Sequence, residues 1–433
     1  MNLVTVPSDL RAARKMLQNA LRSRRTRREV AHRQVVPPAA GRIRIAVYFA
    51  DTRVNLYQIR QWYSTLAELD ETYPVAILTR SPGATLVLMD EAPVPVVYCR
   101  RITDLEHFID AQDVRIVFYV NQNTKNFQMF RYGRMWHVFI NHGESDKMYM
   151  TTNQFKAYDY AFVAGQAALE RLSKKLWDYD LARKAIPIGR PQADHFAGAV
   201  PYPDDDRTVV LYAPTWEGDR PSAAYGSVAS HGVAIADAVL ASPRHRLVYR
   251  PHPRSGVIHH EYKVANERII AAIKSANSRD PAAHHVYDDG SELGWQLAAA
   301  DVAITDISAM VYDRLATGKP IVVARPASPA AEIDETGFLR EAEWLTAADA
   351  PDVLSIVDRV LNDPNSRSVL AHWSELHFGD TTPGSATRRF HDAVDRLMVE
   401  WDRNAAIHAG DRHVSESDPL DEEDDEEGMP SGD

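Results

Sequence analysis

The stretch from residue 301 to 323 has the residue types and spacing of a phosphate-binding loop. An apolar run, Val302 to Ile304, is followed by Thr305 and Asp306, and Ser308 then precedes a helical pattern. A short apolar run with polar ends predicts a buried parallel strand, and serine is a favoured N-cap. Hydroxyl groups and unpaired N–H groups at a helix start suit a phosphate. An ordinary strand–helix–strand unit explains the same spacing, so both interpretations stay open.

Three other apolar runs also end in residue types that could bind a ligand or take part in catalysis. Residues 136–147 contain Asn141-His142-Gly143, residues 209–218 contain Pro214-Thr215-Trp216, and residues 246–253 end in Pro251-His252-Pro253. Ligands of open α/β sheets bind at the carboxyl ends of the strands. A single histidine is more often structural than catalytic. Two histidines, each just after a strand and beside glycine or proline, favour a functional role.

These motifs, taken in order, resemble those of the CDP-glycerol glycerophosphotransferase family, the primases and polymerases of teichoic acid. The motifs are NHG-ESDK, APTW, RPHP and TDIS-A, and the likeness extends from about residue 136 to 390. The sequence departs from the family motifs at two places. These differences bear on which group is transferred more than on the type of reaction. Glu144-Ser145 stands where the family usually has Thr-Pro, and Ala309 stands where its Asp-Tyr-Ser-Ser loop has a second serine.

The resemblance implies a reaction and a role for each motif. A polyol phosphate such as glycerol phosphate would move from a CDP-activated donor to a hydroxyl of a cell-envelope glycan or teichoic-acid-like acceptor, lipid-linked acceptors included, and CMP would leave. His142 would take the hydroxyl proton, and His252 would stabilise the departing CMP. The expected donor contacts are Arg250, Thr305, Asp306, Ser308 and Thr215, and the expected acceptor contacts are Asn141, Gly143 and Lys147. A structural ion pair explains Arg250 equally well.

Other functions remain open at this stage. A GT-B glycosyltransferase that uses a nucleotide-sugar in cell-wall or capsule synthesis would have the same cleft. A nucleotide-sugar 2-epimerase is less favoured, because no paired carboxylates are placed for it. A non-catalytic scaffold could tether a partner through its charged ends. We expect neither a cofactor nor a bound metal, and Phe49-Ala50-Asp51 after the first strand lacks the glycine-rich fingerprint for NAD or FAD.

Apolar runs alternate with helical stretches and predict α/β structure with parallel, doubly wound sheets. The predicted strands are Ile43–Ala50, Tyr73–Thr79, Val94–Cys99, Val114–Val120, Val138–Asn141, Tyr160–Ala164, Val209–Ala213, Leu247–Arg250, His285–Tyr287, Val302–Thr305 and Ile321–Ala324. The resemblance implies a GT-B-like fold, with two Rossmann-like domains across a cleft. The expected boundaries are a basic segment 1–40, an acceptor domain 41–198, a donor-nucleotide domain 199–378, a crossover helix 379–410 and a disordered acidic tail 411–433.

Composition narrows the class of protein. The chain has 433 residues, of which 45% are hydrophobic, enough for two or three domains. Its one cysteine, Cys99, excludes internal disulfides and a cysteine-rich metal site. We find neither a long apolar run nor a secretory signal, and we expect a cytoplasmic protein.

Residues 9–33 carry nine Lys or Arg residues among leucines and alanines at helical spacing. This pattern is typical of a basic amphipathic helix on an anionic membrane surface, here the inner face of the plasma membrane. We expect no nucleic acid partner, because aromatic residues for base stacking are not interleaved. A solvated arm fits the pattern as well as a membrane anchor does.

Removing residues 1–36 distinguishes these two interpretations. We expect the truncated protein to stay in solution when it is sedimented with anionic vesicles, while turnover of soluble substrates is unchanged. Each Lys or Arg near such a surface contributes about 1 kcal/mol, which salt screens. Equal vesicle binding by the truncated protein, or a loss that does not depend on salt, would contradict the membrane interpretation.

Overall fold

The computed structural model describes residues 23–33, 38–143, 152–290, 293–333 and 337–410. Two parallel sheets, each flanked by helices, account for most of this part of the chain. The predicted fold class, two Rossmann-like α/β units in a GT-B-like arrangement, is confirmed.

The first sheet has seven strands, which lie in the order β3-β2-β1-β4-β5-β6-β7 and are all parallel. They are β1 (Ile45–Phe49), β2 (Val75–Thr79), β3 (Val96–Tyr98), β4 (Ile116–Tyr119), β5 (Trp136–Phe139), β6 (Tyr160–Val163) and β7 (Ala185–Pro187). Every residue of β1, β2, β4 and β6 is buried. Such continuously apolar strands are expected where helices cover both faces of a parallel sheet.

The second sheet has six parallel strands in the order β10-β9-β8-β11-β12-β13. They are β8 (Thr208–Ala213), β9 (His245–Tyr249), β10 (Val286–Tyr287), β11 (Val302–Thr305), β12 (Ile321–Ala324) and β13 (Trp344–Leu345). The strand order reverses between β8 and β11, which is where doubly wound sheets bind ligands. In this register Thr305 pairs with Ala213, so the end of β11 lies beside the Thr215 loop.

Fifteen α-helices connect and cover the strands within the described ranges. The first is α1 (residues 23–33). The others are α2 (Leu56–Arg60), α3 (Tyr63–Thr72), α4 (Pro82–Glu91), α5 (Ile102–Ala111), α6 (Gln166–Lys175), α7 (Leu181–Lys184), α8 (Pro191–Asp194), α9 (Val233–Leu240), α10 (His260–Arg279), α11 (Trp295–Ala299), α12 (Ala309–Leu315), α13 (Val353–Asn362), α14 (Pro364–Phe378) and α15 (Ser385–Ile407).

All eleven predicted strands are present, with ends that differ by one or two residues in most cases. The sequence did not reveal β7 and β13. Both are very short, at three and two residues, and neither is fully buried, so they lack a clear apolar run.

The last helix, α15, packs against the first sheet although it follows the second sheet in sequence. Phe390, Val394 and Leu397 are fully buried in the same core cluster as Ile45 and Val47. A Trp136 Nε1–H group on β5 also donates to the Leu397 carbonyl at 3.0 Å. The chain therefore crosses back to its first half.

The end of the basic segment is attached to the first half of the protein. In α1, Val30 is fully buried, and Arg33 pairs with Asp90 at 2.6 Å. Residues 9–22 of the predicted membrane helix lie outside the described residues, as does the acidic tail 411–433. Among the helices that the structure describes, none is long and apolar enough to span a bilayer.

Asp306 holds together the loops at the carboxyl edge of the second sheet. Its side chain is fully buried, and Oδ2 accepts hydrogen bonds from the backbone N–H groups of Thr215 at 2.8 Å and Ser227 at 3.0 Å. Burial raises the pKa of Asp306 to about 7, although these N–H groups oppose the shift. The sequence predicted Asp306 as a donor contact. Its burial favours a positioning role for the Thr215 loop instead.

Replacing Asp306 with asparagine tests this buried carboxyl group. A pKa raised from 3.8 to about 7 means that the folded state keeps a proton that the unfolded chain releases. This contribution to stability is complete below pH 3.8 and is lost as the pH rises through 7. The side-chain oxygen of asparagine can accept hydrogen bonds from the same N–H groups, and the amide does not titrate. We expect wild type to lose up to about 1.4 kcal/mol of unfolding free energy per pH unit relative to Asp306→Asn.

Urea unfolding of both proteins at several values between pH 4.5 and 7 would measure this difference. If the difference in unfolding free energy between the two proteins does not change with pH, the raised pKa of Asp306 is contradicted.

Candidate active site

The His142 side chain is oriented by the strand next to its own. His142 follows β5, and its Nδ1 lies 2.9 Å from the carbonyl oxygen of Val120, at the end of β4. A carbonyl only accepts, so Nδ1 carries the hydrogen and the neutral ring presents the lone pair of Nε2. Tyr57 supports the ring edge-on, with ring centroids 5.8 Å apart. The imidazole is thus in the tautomer that can accept a proton.

Asn141 bends the chain so that His142 leaves the sheet. It has a φ of 55°, a left-handed conformation that asparagine adopts more readily than most residues. Its carbonyl accepts from Trp62 Nε1 at 2.6 Å, and its side-chain amide donates to the Gly143 carbonyl. Asn141 and Gly143 therefore shape the His142 loop. Lys147, the third predicted acceptor contact, lies outside the described residues.

The His142 loop of the first half meets α12 of the second half. A Cβ atom placed on Gly143 would be 3.7 Å from the Cβ of Ala309, the first residue of α12. This contact brings the end of β5 to the loop that follows β11. The two predicted motifs furthest apart in sequence are therefore neighbours in the structure.

Arg190 connects the same two parts, and sequence reasoning missed it. Its guanidinium donates to the His142 carbonyl at 3.3 Å and to Gln61 at 2.9 Å, and it lies 2.6 Å from Asp313 of α12. The Arg190 and Asp313 side chains are only 7% and 3% exposed. Burial raises the pKa of Asp313, and Arg190 opposes that shift. The only signal in the sequence is an arginine between glycine and proline in IPIGRPQADHF, a stretch with the composition of a linker.

Ser308 caps α12 as predicted, and its oxygen accepts from the N–H group of Met310 at 3.2 Å. Ser308 and Thr215 are both partly exposed. Thr305 is different, because its side chain is fully buried and its hydroxyl has no hydrogen-bond partner among the described residues. Of the residues at this strand end, Ser308 is therefore better placed than Thr305 to touch a ligand.

His252 is held in the opposite tautomer to His142. Its Nδ1 accepts the backbone N–H of Arg254 at 3.1 Å, so the neutral ring carries its hydrogen on Nε2. Trp216 lies beside it, with ring centroids 6.4 Å apart, and Arg254 lies over Trp216 at 3.7 Å. The imidazole is partly exposed, and in this tautomer its Nε2–H group is a hydrogen-bond donor.

Glu217 fixes the loop that follows His252, and the sequence gave no reason to select it. This carboxylate is 2% exposed and accepts from the N–H groups of Gly256, Ile258 and His259 at 2.8 to 3.1 Å. Burial alone would raise the pKa of Glu217, but the backbone hydrogen bonds together hold it below its ordinary value. The loop after β8 thereby positions the loop after β9.

Arg250 is engaged by a carboxylate. Its Nη1 lies 2.5 Å from Asp288 Oδ2, which also accepts from Gln296 at 2.5 Å. This pair favours the structural interpretation of Arg250 over a direct donor contact. In the part of the chain that the structure describes, no group of three or more His, Cys, Asp or Glu residues could hold a metal ion.

Comparisons with solved structures agree with this architecture. A putative UDP-N-acetylglucosamine 2-epimerase from Listeria monocytogenes superposes with a TM-score of 0.56 at 16% identity, over 83% of this chain and 98% of that one. The wall teichoic acid polymerase TagF superposes with a TM-score of 0.55 at 12% identity, over 92% of this chain and 99% of that one. At such identities these likenesses concern the fold alone. No curated protein matches the chain.

The family comparison addresses function. Residues 137–330 match the model of a family described as CDP-glycerol:poly(glycerophosphate) glycerophosphotransferase. The matched span includes His142, Thr215, His252 and Ser308, and it confirms the resemblance seen in the sequence. Over these residues, somewhat less than half of the chain, the sequence is similar to the CDP-glycerol glycerophosphotransferase family, and the protein is a glycerophosphotransferase-like transferase.

Proposed function

We propose that the protein moves a polyol phosphate, glycerol phosphate in the first instance, from a CDP-activated donor to a hydroxyl of a glycan or polyol-phosphate acceptor. The observation that carries this proposal is the contact between the His142 loop and α12, where Gly143 approaches Ala309. It brings a proton-accepting imidazole to the edge of the loop that contains Ser308. A base and a phosphate-binding loop are the two parts that such a transfer needs.

In the proposed reaction, His142 Nε2 takes the proton of the acceptor hydroxyl. The acceptor oxygen forms a bond to the β-phosphorus of the donor, and the bond from that phosphorus to the bridging oxygen of CMP breaks. CMP leaves with the electron pair of that bond. His252 donates its Nε2–H to the departing phosphate, and Ser308 and Thr215 hold the diphosphate.

The other predicted residues receive supporting roles. Asn141 and Gly143 shape the acceptor side, and we keep Lys147 there as an expectation from the sequence. Thr305 and Asp306 position the donor loops from inside the protein, and Arg250 orders the strand end through Asp288. We expect no cofactor and no protein-bound metal. Residues 9–33 would hold the cytoplasmic protein at the inner face of the plasma membrane, close to lipid-linked acceptors.

A donor panel tests the reaction class. The purified full-length protein is incubated with CDP-glycerol, other CDP-polyols and UDP-sugars, each with glycerol phosphate and glycan acceptors, and the released nucleotide is quantified. CMP release that requires a CDP-polyol supports the proposal. UDP release from a nucleotide-sugar would identify a glycosyltransferase, and binding of none of these nucleotides would favour a scaffold.

Replacing His142 with alanine should abolish turnover while donor affinity stays nearly the same. A positioned general base contributes about 10²- to 10⁴-fold in rate. CMP release measures turnover, and calorimetric titration with CDP-glycerol measures affinity. His107→Ala, on the exposed side of α5, is the matched control. Near-normal turnover by His142→Ala would show that another group is the base.

Replacing His252 or Ser308 with alanine should weaken donor binding to different extents. The His252 ring donates to a charged phosphate, a bond that contributes about 1.5–3 kcal/mol. Loss of the Ser308 hydroxyl should cost about 0.5–1.5 kcal/mol, because neighbouring N–H groups of the same loop remain. Nucleotide titration by calorimetry would show the larger effect for His252→Ala. Unchanged affinity in both variants would place the donor elsewhere.

A further inference from the structure

The strand order of the first sheet reverses between β1 and β4. On one side of this point lie β2 and β3, and on the other lie β5, β6 and β7. Doubly wound sheets bind ligands at the carboxyl ends of the strands where the order reverses. The equivalent point of the second sheet, between β8 and β11, carries the loops of Thr215 and Ser308, which we assign to the donor. The first sheet therefore has its own crevice, the β1–β4 crevice, one strand away from His142 at the end of β5.

Polar side chains form a connected network at the β1–β4 crevice. Asn121, just after β4, donates through its amide to Gln58 at 2.7 Å and to Asp51, just after β1, at 3.3 Å. Gln58 in turn donates to the Tyr57 hydroxyl at 3.4 Å. Gln58 and Asn121 are buried, so they fix the positions of Asp51 and Tyr57 from inside the protein. The edge-on contact between the Tyr57 and His142 rings joins this network to the proposed base.

The Asp51 carboxylate has room for further hydrogen-bond donors. It is partly exposed, and among the described residues it accepts only the Thr52 N–H group at 2.8 Å and the Asn121 amide. An ionised carboxylate has about four acceptor sites, so about two remain for a ligand. No Lys, Arg or His among the described residues forms an ion pair with Asp51. A hydroxyl group is therefore a favourable ligand here, and a phosphate is repelled by the carboxylate.

Tyr57 adds an apolar surface to the same crevice. Its side chain is 49% exposed, although its hydroxyl group is bonded to Gln58 and its ring contacts His142. Ligand sites typically combine such an aromatic surface with a few fixed polar groups. A pyranose ring matches this combination, because it has an apolar C–H face and hydroxyl groups along its edge. A polyol-phosphate chain has no flat apolar face, and each of its phosphates carries a negative charge.

We propose that the β1–β4 crevice is the acceptor subsite and that it binds a neutral pyranose ring. The proposal rests on the proposed function and selects a glycan over a polyol phosphate as the acceptor. Asp51 accepts hydrogen bonds from hydroxyl groups of the sugar, and Tyr57 packs against its C–H face. Another hydroxyl group of the same sugar is thereby held next to His142, which takes its proton. Asp51 also selects against acceptors whose reacting end is negatively charged.

Sugar binding tests the subsite without any turnover. Methyl pyranosides of glucose, galactose, mannose and their N-acetylamino derivatives are titrated into the full-length protein, and saturation-transfer NMR measures Kd. We expect at least one pyranoside to bind, with a Kd about tenfold higher in Asp51→Asn and in Tyr57→Leu. Tyr57→Phe keeps the ring and should bind as wild type does within about threefold, which is close to the value of one neutral hydrogen bond.

Matched controls separate the crevice from the rest of the surface. Asp206→Asn removes an exposed carboxylate from a turn, and Trp177→Leu removes an aromatic ring that is 83% exposed. Both variants should bind the pyranoside as wild type does. Thermal unfolding confirms that each variant is folded. Asp51→Asn preserves the shape of the side chain, so it tests the subsite even if Tyr57→Leu does not fold.

Acceptor kinetics test whether the subsite serves the reaction. With CDP-glycerol as donor, we expect Asp51→Asn to raise KM for the bound pyranoside about tenfold. The same variant should lower KM for glycerol 3-phosphate about threefold, because it removes a negative charge that repels the phosphate. A merely structural role for Asp51 would raise KM for both acceptors, and that result would overturn the proposal.

The binding measurements also distinguish this proposal from the proposed function. No saturation transfer to any pyranoside, or the same Kd in wild type and Asp51→Asn, would overturn the subsite even if CDP-glycerol is turned over. Pyranoside binding that depends on Asp51 and Tyr57, without CMP release from any CDP-polyol, would confirm a sugar-binding crevice and refute the proposed function.

Discussion

The buried ion pair between Arg190 and Asp313 links the two halves of the protein. Arg190 follows the last strand of the first sheet, and Asp313 lies on α12, the helix that Ser308 caps. Removing two charges from water is costly, and the attraction within such a pair often only compensates for that cost. Its value here is positional, because the same guanidinium also holds the His142 carbonyl. The His142 loop and α12 thus share one anchor.

Three buried or half-buried carboxylates organise the loops at the carboxyl edge of the second sheet. Asp306 joins the loops after β8 and β11, Glu217 fixes the loop after β9, and Asp288 holds Arg250. Asp306 and Glu217 accept backbone N–H groups of these loops that would otherwise lie unpaired, and Asp288 accepts side-chain N–H groups of Arg250 and Gln296. The loops at this edge of the sheet are held in fixed positions in this way. Asp306, which the sequence predicted as a donor contact, is thus one of three carboxylates whose described partners are N–H groups of the protein.

Local patterns in the sequence were sufficient for the fold class and for most strands. Fully buried strands appear as apolar runs, and Ser308 could be recognised as a cap because capping depends on adjacent residues. Side-chain direction was not accessible in this way. Asp306 follows a strand just as His142 does, yet Asp306 is fully buried and His142 is partly exposed. Arg190 could not be found, because its partner is distant in sequence and no local rule connects them.

The course of α15 has a consequence for how the protein is made. The core of the first sheet includes Phe390, Val394 and Leu397, which leave the ribosome only after the entire second sheet has been synthesised. Domains generally fold as units in the order of their synthesis, but here the first unit stays incomplete until its last helix arrives. Until then, an apolar face of the nascent chain is exposed to water. A chain interrupted between the second sheet and α15 would therefore aggregate, and slow translation across this region would prolong the need for a chaperone.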